Sequence, residues 1–264
     1  MKIEDGYSIQ GVLSSSDKIS KSIRNISSGR SINSASDEAA DLAISERMQS
    51  QINGTNQAIN NSQNGISLVQ TAESALGSTH DSLQRMRELA IQSSNGTLSD
   101  EDRVALNDEF SQLKDEISQT AQTTTFNGQK LLDGSLNINI GAGTDGNGMN
   151  VSISDMSSSG LNLASLSISS ADGANDAINK LDSAIDSVSH ERGNLGATDN
   201  ALEATVSNLM SSEVDTEASQ SQITDSDIAK EAMELTKNKI LEQANIAMLV
   251  HKKQDAASVL SLLR

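Results

Sequence analysis

The amino-acid sequence predicts a mainly α protein: a long antiparallel helical coiled-coil bundle that carries a small β-hairpin region. Proline, which breaks helix interiors, is absent from all 264 residues. Tyr7, Phe110 and Phe126 are the only aromatic residues, so burial falls to aliphatic side chains that let long helices pack closely. Apolar residues also recur at alternating steps of three and four, the pattern of a coiled-coil seam. The competing interpretation is a disordered chain rich in Ser, Asn and Gln.

The N-terminal part of the chain contains two helical patterns. The first is an a/d seam that stops at the small, polar stretch 27–31, and its positions are Ile9, Val12, Ser16, Ile19, Ile23 and Ile26. The second runs from about Ser36 to Ser94. One heptad track holds Ile52, Ile59 and Ile66, and the other holds Met48, Val69, Leu76, Leu83 and Ala90. Polar residues interrupt both tracks, which predicts a multi-helix bundle with partly hydrated seams.

The next helix is predicted from cap signals. Gly96 is expected at the C′ position of the long helix, and Ser99 is expected to cap a new one. Asp102 stands at the third helical position, where it would complete a capping box. Apolar spacing sustains this helix until about Thr123.

A β-hairpin is predicted near residues 135–155. Leu136, Ile138 and Ile140 alternate with polar residues, and Met149, Val151 and Ile153 do so again. The stretch 141–148, rich in Gly, Asp and Asn, supplies the turn between them.

The C-terminal part is again helical. A heptad frame runs from Ile178 to Leu209, turns polar after Glu213, and restarts beyond a capping Asp227. The last helix is apolar around most of its circumference over residues 240–250, so we expect a partner to cover it.

Charge and composition exclude several functions. A net charge of −17 disfavours nucleic acid and anionic membrane surfaces as partners, and no 18-residue apolar run predicts membrane insertion. The absence of cysteine excludes disulfides and thiolate chemistry. No secretory signal follows Met1, so composition alone predicts a cytoplasmic protein.

No catalytic or ligand motif survives inspection. Residues 141–146 spell GxGxxG, but a second strand-like segment follows where a dinucleotide site needs a helix, so a hairpin turn is the better interpretation. His80, His190 and His251 lack partners at metal-ligand spacing. The sequence therefore predicts a non-enzyme without cofactor, catalytic residue or metal.

Several stretches resemble bacterial flagellin, the subunit of the flagellar filament. They are Ile26–Gly29, Ile32–Ala35, Asp37–Ile44, Asn64–Glu73, Leu83–Ala90, Thr125–Gly128, Arg192–Ala197 and Val259–Arg264. Their order and number make the resemblance specific, and it covers nearly all of the chain outside residues 135–170. At this length the chain resembles a short form that lacks the large outer domains.

The resemblance implies a structural subunit that polymerises into the filament for swimming motility. It implies an inner terminal coiled-coil domain of residues 1–35 plus 225–264, and an outer helical bundle domain of residues 36–224 with the hairpin. It implies export by the flagellar type III apparatus, which replaces the cytoplasmic expectation with an extracellular flagellum. The implied partners are copies of the chain itself, an export chaperone, hook-associated and cap proteins, and a host Toll-like receptor.

Two residue sets carry these expectations. The expected receptor and subunit contacts are Gln84, Arg85, Leu89 and Glu109. The expected assembly seam is Ile9, Ile19, Ile23, Ile26, Leu235, Leu241, Ile246 and Leu249. The alternatives are a hook-associated junction protein and a secreted helical adhesin or immune-active binding module.

Overall fold

The computed structural model describes residues 2–143 and 148–262, with side chains over residues 10–143 and 148–254. The predicted mainly α class is confirmed, with long helices and two small antiparallel hairpins. The helices are α1 (Lys2–Ser28), α2 (Ala39–Ser93), α3 (Asp100–Thr123), α4 (Ala171–Thr224) and α5 (Ile228–Leu262). The strands are β1 (Thr125–Phe126), β2 (Gln129–Lys130), β3 (Asn137–Ile140) and β4 (Met149–Ser152).

The described residues form two compact units. One comprises the residues up to Ile52 and those from Val214 on, and the other is Asn53–Glu213. We call them the terminal unit and the central unit. The domain limits expected at residues 35 and 225 fall after the end of α1 and just before the start of α5, and they remain a prediction.

The central unit is built on the predicted heptads. Leu76 and Leu83 of α2 are fully buried, as are Leu181 and Val188 of α4. Phe110 fills the core from α3 with no exposed surface. Repeating aliphatic side chains thus close one contiguous core without the aromatic cluster that globular domains usually recruit.

The hairpin lies where the alternation predicts it. β3 pairs antiparallel with β4, with Ile138 opposite Val151. The side chains of Ile140 and Val151 lie on one face of this hairpin and pack in the central core. The GxGxxG stretch therefore leads into a strand, as the turn interpretation requires, although its residues 144–146 lie outside the described part.

The junction between α2 and α3 confirms one cap and corrects another. Ser99 Oγ accepts from Asp102 N at 3.2 Å and Asp102 Oδ2 accepts from Ser99 N at 3.1 Å, which is the predicted capping box. Gly96 is not the C′ residue, because α2 already ends at Ser93 and Gly96 lacks a positive φ. Instead, the buried Arg103 guanidinium donates to the carbonyls of Ser93, Asn95 and Leu98.

In the terminal unit, Gly29 directly follows α1, and its φ of 70° places it in the left-handed region that suits a helix terminus. Ser31 N donates to Thr224 O at 2.7 Å, and Ser226 N donates to Gly29 O at 2.9 Å. These bonds join the segment that follows α1 to the joint between α4 and α5.

Candidate functional site

Helices α1 and α5 lie side by side in the terminal unit. Asn25 Nδ2 donates to Glu231 Oε1 at 3.1 Å near one end of the pair. Towards the other end, a Cβ built at Gly11 would lie only 3.3 Å from Asn245 Nδ2. The two contacts define an antiparallel pair whose backbones approach closely through small and amide residues.

The seam within this pair is polar. Ser15, Ser22 and Asn25 of α1 are buried, with 6%, 5% and 4% of their surface exposed, and Asn238 of α5 is 5% exposed. Ser15 and Ser22 are one heptad apart, each one position before a residue of the predicted a/d seam. The intrachain seam is therefore displaced from the predicted one, because small polar side chains allow a closer approach than isoleucine does.

Many of the large apolar side chains of the pair point away from this seam. Nine of the thirteen large apolar side chains that are exposed among the described residues belong to α1 and α5. They are Leu13, Ile23, Ile228, Met233, Ile240, Leu241, Ile246, Met248 and Val250. The members on α5 lie on more than one side of that helix, and we call the whole set the outer apolar face. So many exposed apolar side chains on two helices are typical of an interaction surface.

The expected assembly residues divide between the two sides of the pair. Ile23, Leu241 and Ile246 belong to the outer apolar face, with 49%, 45% and 47% of their surface exposed. The half-buried members are Ile19, Ile26, Leu235 and Leu249. The side chain of Ile9 lies outside the described residues.

A second candidate surface lies on the central unit, where α2 meets α3. Arg85 Nη2 lies 2.8 Å from Glu109 Oε1, and its Nη1 lies 2.9 Å from Glu88 Oε2. Hydrogen bonds to Glu109 and then to Glu88 raise the pKa of Arg85 above its ordinary value. Half of the Arg85 side chain remains exposed, so the cluster is open to a partner. With Gln84 it forms what we call the Arg85 surface.

The other two expected contact residues differ in exposure. Gln84 is exposed, and its Nε2 lies 2.7 Å from His80 Nε2 on the same helix. Leu89 is only 1% exposed and packs in the central core. Its side chain therefore supports the Arg85 surface from beneath rather than adding to it.

Other site chemistry is sparse in the described residues. They contain no cluster of three or more His, Asp or Glu side chains that could hold a metal ion. Their helices include none with the length and apolarity needed to cross a membrane. His80 is half-buried and its Nδ1 has no partner, whereas His190 and His251 are exposed.

Comparison with known protein families identifies the family to which the chain belongs. The family described as the bacterial flagellin N-terminal helical region matches residues 8–137. The bacterial flagellin C-terminal helical region matches residues 178–263. The chain belongs to the bacterial flagellin family.

Relatives and a solved structure agree with this assignment. A flagellin of Halalkalibacterium halodurans is 47% identical over 249 residues, which cover 92% of this chain and 91% of the relative. Flagellin FlaB1 of Treponema pallidum is 40% identical over 266 residues, covering 94% and 93%. The crystal structure of Bacillus cereus flagellin matches with a TM-score of 0.52 and 34% identity, over 57% of this chain and 88% of that one.

Membership confirms the resemblance found in the sequence, and with it the main function. This flagellin is a filament subunit of the extracellular flagellum, and its family is one of structural proteins. The hook-associated and adhesin alternatives are not favoured, because the flagellin regions and flagellin relatives span most of the chain. The polar seam within the α1–α5 pair was not predicted from the sequence. The signal that could have indicated it is the heptad spacing of Ser15 and Ser22.

Proposed function

We propose that this flagellin polymerises by burying the outer apolar face of α1 and α5 against neighbouring copies of the chain. The observation that carries this proposal is the orientation of the pair, which buries serine and asparagine side chains while nine of its large apolar side chains remain exposed. A helix pair arranged in this way has its main apolar contacts still to make. Copies of the same chain offer the same face repeatedly along a filament.

The energetics favour folding of the pair upon assembly. Fully burying a Leu, Ile or Met side chain contributes about 1.5–3 kcal/mol, so covering one that is half exposed contributes about 1 kcal/mol. The polar seam contributes little of this kind, while ordering each residue costs about 1–2 kcal/mol of conformational entropy. Neighbouring subunits therefore provide the stabilisation that the pair lacks alone.

The domain division follows from the same reasoning. We propose residues 1–35 plus 225–264 as an inner domain that makes these contacts, and residues 36–224 as an outer helical domain. The limit at residue 225 falls in the joint Thr224–Ser226 that precedes α5, and the limit at residue 35 falls between the end of α1 and the start of α2.

The test is polymerisation of purified protein after seeding or salting out. Replacing both Leu241 and Ile246 by serine removes two half-exposed side chains, or about 2 kcal/mol of assembly energy. We expect the critical monomer concentration to rise roughly 30-fold, since each 1.4 kcal/mol is a factor of ten. Sedimentation gives that concentration, and electron microscopy shows whether the pellets contain tubes.

A matched control separates assembly from general solubility. Val104 of α3 is 51% exposed but belongs to the central unit, so Val104→Ser should leave the critical concentration unchanged. Deleting residues 228–264 should abolish polymerisation altogether. Tubes formed by the deletion protein, or an equal effect of Val104→Ser, would refute the proposed mechanism.

The exposed face also bears on export. We propose that the flagellar type III apparatus exports the chain and that a cytoplasmic chaperone covers α5 beforehand, because that helix carries Met233, Ile240 and Met248 with over 60% of their surface exposed. Hook-associated and cap proteins would meet the same face at the two ends of the filament. Pull-down of such a chaperone by the full chain, with loss of binding in the deletion protein, tests this proposal.

We also propose the Arg85 surface as the contact for a host Toll-like receptor in the free monomer. The support is an exposed cluster of opposite charges held in fixed geometry by α2 and α3. Reporter cells should respond to monomer but not to intact filament, and Arg85→Ala or Glu109→Ala should weaken the response. Arg87→Ala is the control, because Arg87 is similarly exposed but pairs with Asp182 of α4. No response to purified monomer would refute the proposal.

A further inference from the structure

The described chain contains four complete asparagine–glycine pairs, and the fold places them in two different settings. They are Asn53-Gly54, Asn64-Gly65, Asn95-Gly96 and Asn127-Gly128. All four asparagines are exposed to solvent. At such a pair the glycine backbone nitrogen can attack the asparagine side-chain amide carbon, because no Cβ on the glycine hinders the approach.

The reaction needs only water and releases ammonia. The new bond joins the glycine nitrogen to the side-chain carbon, the glycine nitrogen loses its proton, and the side-chain amide leaves as ammonia to give a succinimide. Water then opens the ring at either carbonyl, which yields aspartate or isoaspartate. The glycine N–H must be free, and the backbone must be able to bend towards the side chain.

Two of the pairs lie within helix α2, at Asn53-Gly54 and Asn64-Gly65. There each glycine N–H is engaged by the carbonyl four residues earlier, and the backbone dihedral angles are fixed. Gly65 is further held by close contact with Ile140. Attack at these sites requires local unfolding of a helix interior.

The pair Asn95-Gly96 lies in the turn between α2 and α3. Thr97 N and Thr97 Oγ1 both donate to Asn95 Oδ1, at 3.1 and 3.0 Å. These bonds draw electron density from the side-chain carbonyl carbon, which makes it a better electrophile. Gly96 lies outside the helical ladder, and nothing lies within 4 Å of the position a Cβ would take.

The pair Asn127-Gly128 forms the two-residue turn between β1 and β2. Their φ angles of 50° and 78° match a type I′ turn. The flanking pair is Phe126 and Gln129, so the two turn residues stand outside the strand ladder. Both turn residues are exposed.

We propose that Asn95 and Asn127 are sites of spontaneous deamidation through a succinimide, and that the helix protects Asn53 and Asn64 from the same reaction. Each event adds one negative charge at a turn. At residue 95 it does so beside the Arg103 guanidinium, which lies 3.1 Å from the Asn95 carbonyl oxygen. Isoaspartate at residue 127 inserts a methylene into a two-residue turn, so the pairing of Phe126 with Gln129 cannot be kept.

The experiment incubates the purified full chain at mildly alkaline pH and follows all four sites by peptide mapping with mass spectrometry. Acid forms should accumulate at residues 95 and 127 at least ~tenfold faster than at 53 and 64, because a helix interior opens rarely. An isoaspartyl methyltransferase assay should detect isoaspartate at the same two positions. Equal rates at all four sites in the folded chain, or faster reaction in α2, would overturn the proposal.

Two controls assign any difference to the fold rather than to neighbouring sequence. In concentrated urea all four rates should converge, because every glycine N–H is then free. Gly96→Val should slow the reaction at Asn95 and leave that at Asn127 unchanged. A tenfold rate difference that persists in urea would also overturn the proposal, since structure would then not be its cause.

Discussion

Gly65 is the position at which the packing of α2 against the hairpin can be tested most sharply. A Cβ added there would lie 2.5 Å from Ile140 Cδ1 and 3.1 Å from Ile140 Cγ2. Ile140 is only 6% exposed, so its side chain has little room to move away. We therefore expect Gly65→Ala to disturb the contact between the helix and β3.

Two opposing terms set the magnitude. Alanine in a helix interior is favoured over glycine by about 1 kcal/mol. Overpacking of a core contact costs about 1–3 kcal/mol. Gly77, also inside α2, has no atom within 4 Å of its Cβ position. Gly77→Ala should therefore gain the helix preference of alanine without the cost of overpacking. Gly65→Ala should thus be less stable than Gly77→Ala by about 1–3 kcal/mol.

Urea unfolding followed by circular dichroism measures both variants against the unchanged protein. Ile140→Val removes the Cδ1 atom that lies nearest to the new methyl group. The double variant Gly65→Ala/Ile140→Val should therefore recover part of the loss, whereas combining Ile140→Val with Gly77→Ala should recover nothing. Equal stabilisation by Gly65→Ala and Gly77→Ala would show that the predicted clash does not exist.

Three further changes test the caps and one ion pair. Ser99→Ala removes the hydroxyl that accepts from Asp102 N and should destabilise the protein by about 1 kcal/mol in thermal unfolding. Arg103→Met removes the donor to three backbone carbonyls at similar volume and should cost about 2 kcal/mol by urea unfolding, with Lys180→Met as an exposed comparison. Asp37 has its pKa lowered from 3.8 to about 2, mainly by hydrogen bonding to Lys21. The Asp37–Lys21 ion pair contributes on the order of 1 kcal/mol to the free energy of unfolding. This contribution is complete above pH 3.8 and is lost as the pH falls towards 2, where Asp37 becomes protonated in the folded chain. The free energy of unfolding, measured as a function of pH over that range, should change less in Asp37→Asn than in the unchanged protein.

Regular patterns in the sequence predict the buried helix faces and the β3–β4 hairpin of the central unit. Leu76 and Leu83 repeat at the heptad spacing that one buried helix face requires, and both are fully buried. Ser99 and Asp102 indicate a helix start through hydrogen bonds between nearby residues, so the prediction of that start did not depend on tertiary contacts. The alternation on both sides of residues 141–148 likewise reflects a sheet with one buried face.

Two features of the central unit were not predicted from the sequence. The carbonyls at the end of α2 are satisfied by Arg103, which lies ten residues beyond Ser93, so the nearby Gly96 was a misleading signal. The small hairpin of β1 and β2 was missed as a hairpin, although Asn127-Gly128 is a strong turn signal. Strands of two residues leave no alternation from which to recognise them.

The displaced seam of the α1–α5 pair has a physical explanation that also bears on function. A heptad of isoleucines indicates that a face will be buried, but it does not say by which partner. In the isolated chain Ser22 and Asn25 occupy the intrachain contact, and Ile23 between them remains 49% exposed. A pair held by its own isoleucines would satisfy its apolar surface within one subunit and would retain little reason to associate. In the mechanism proposed above, the polar residues inside the pair and Ile23, Leu241 and Ile246 outside it leave the largest apolar gain to the contact with other subunits.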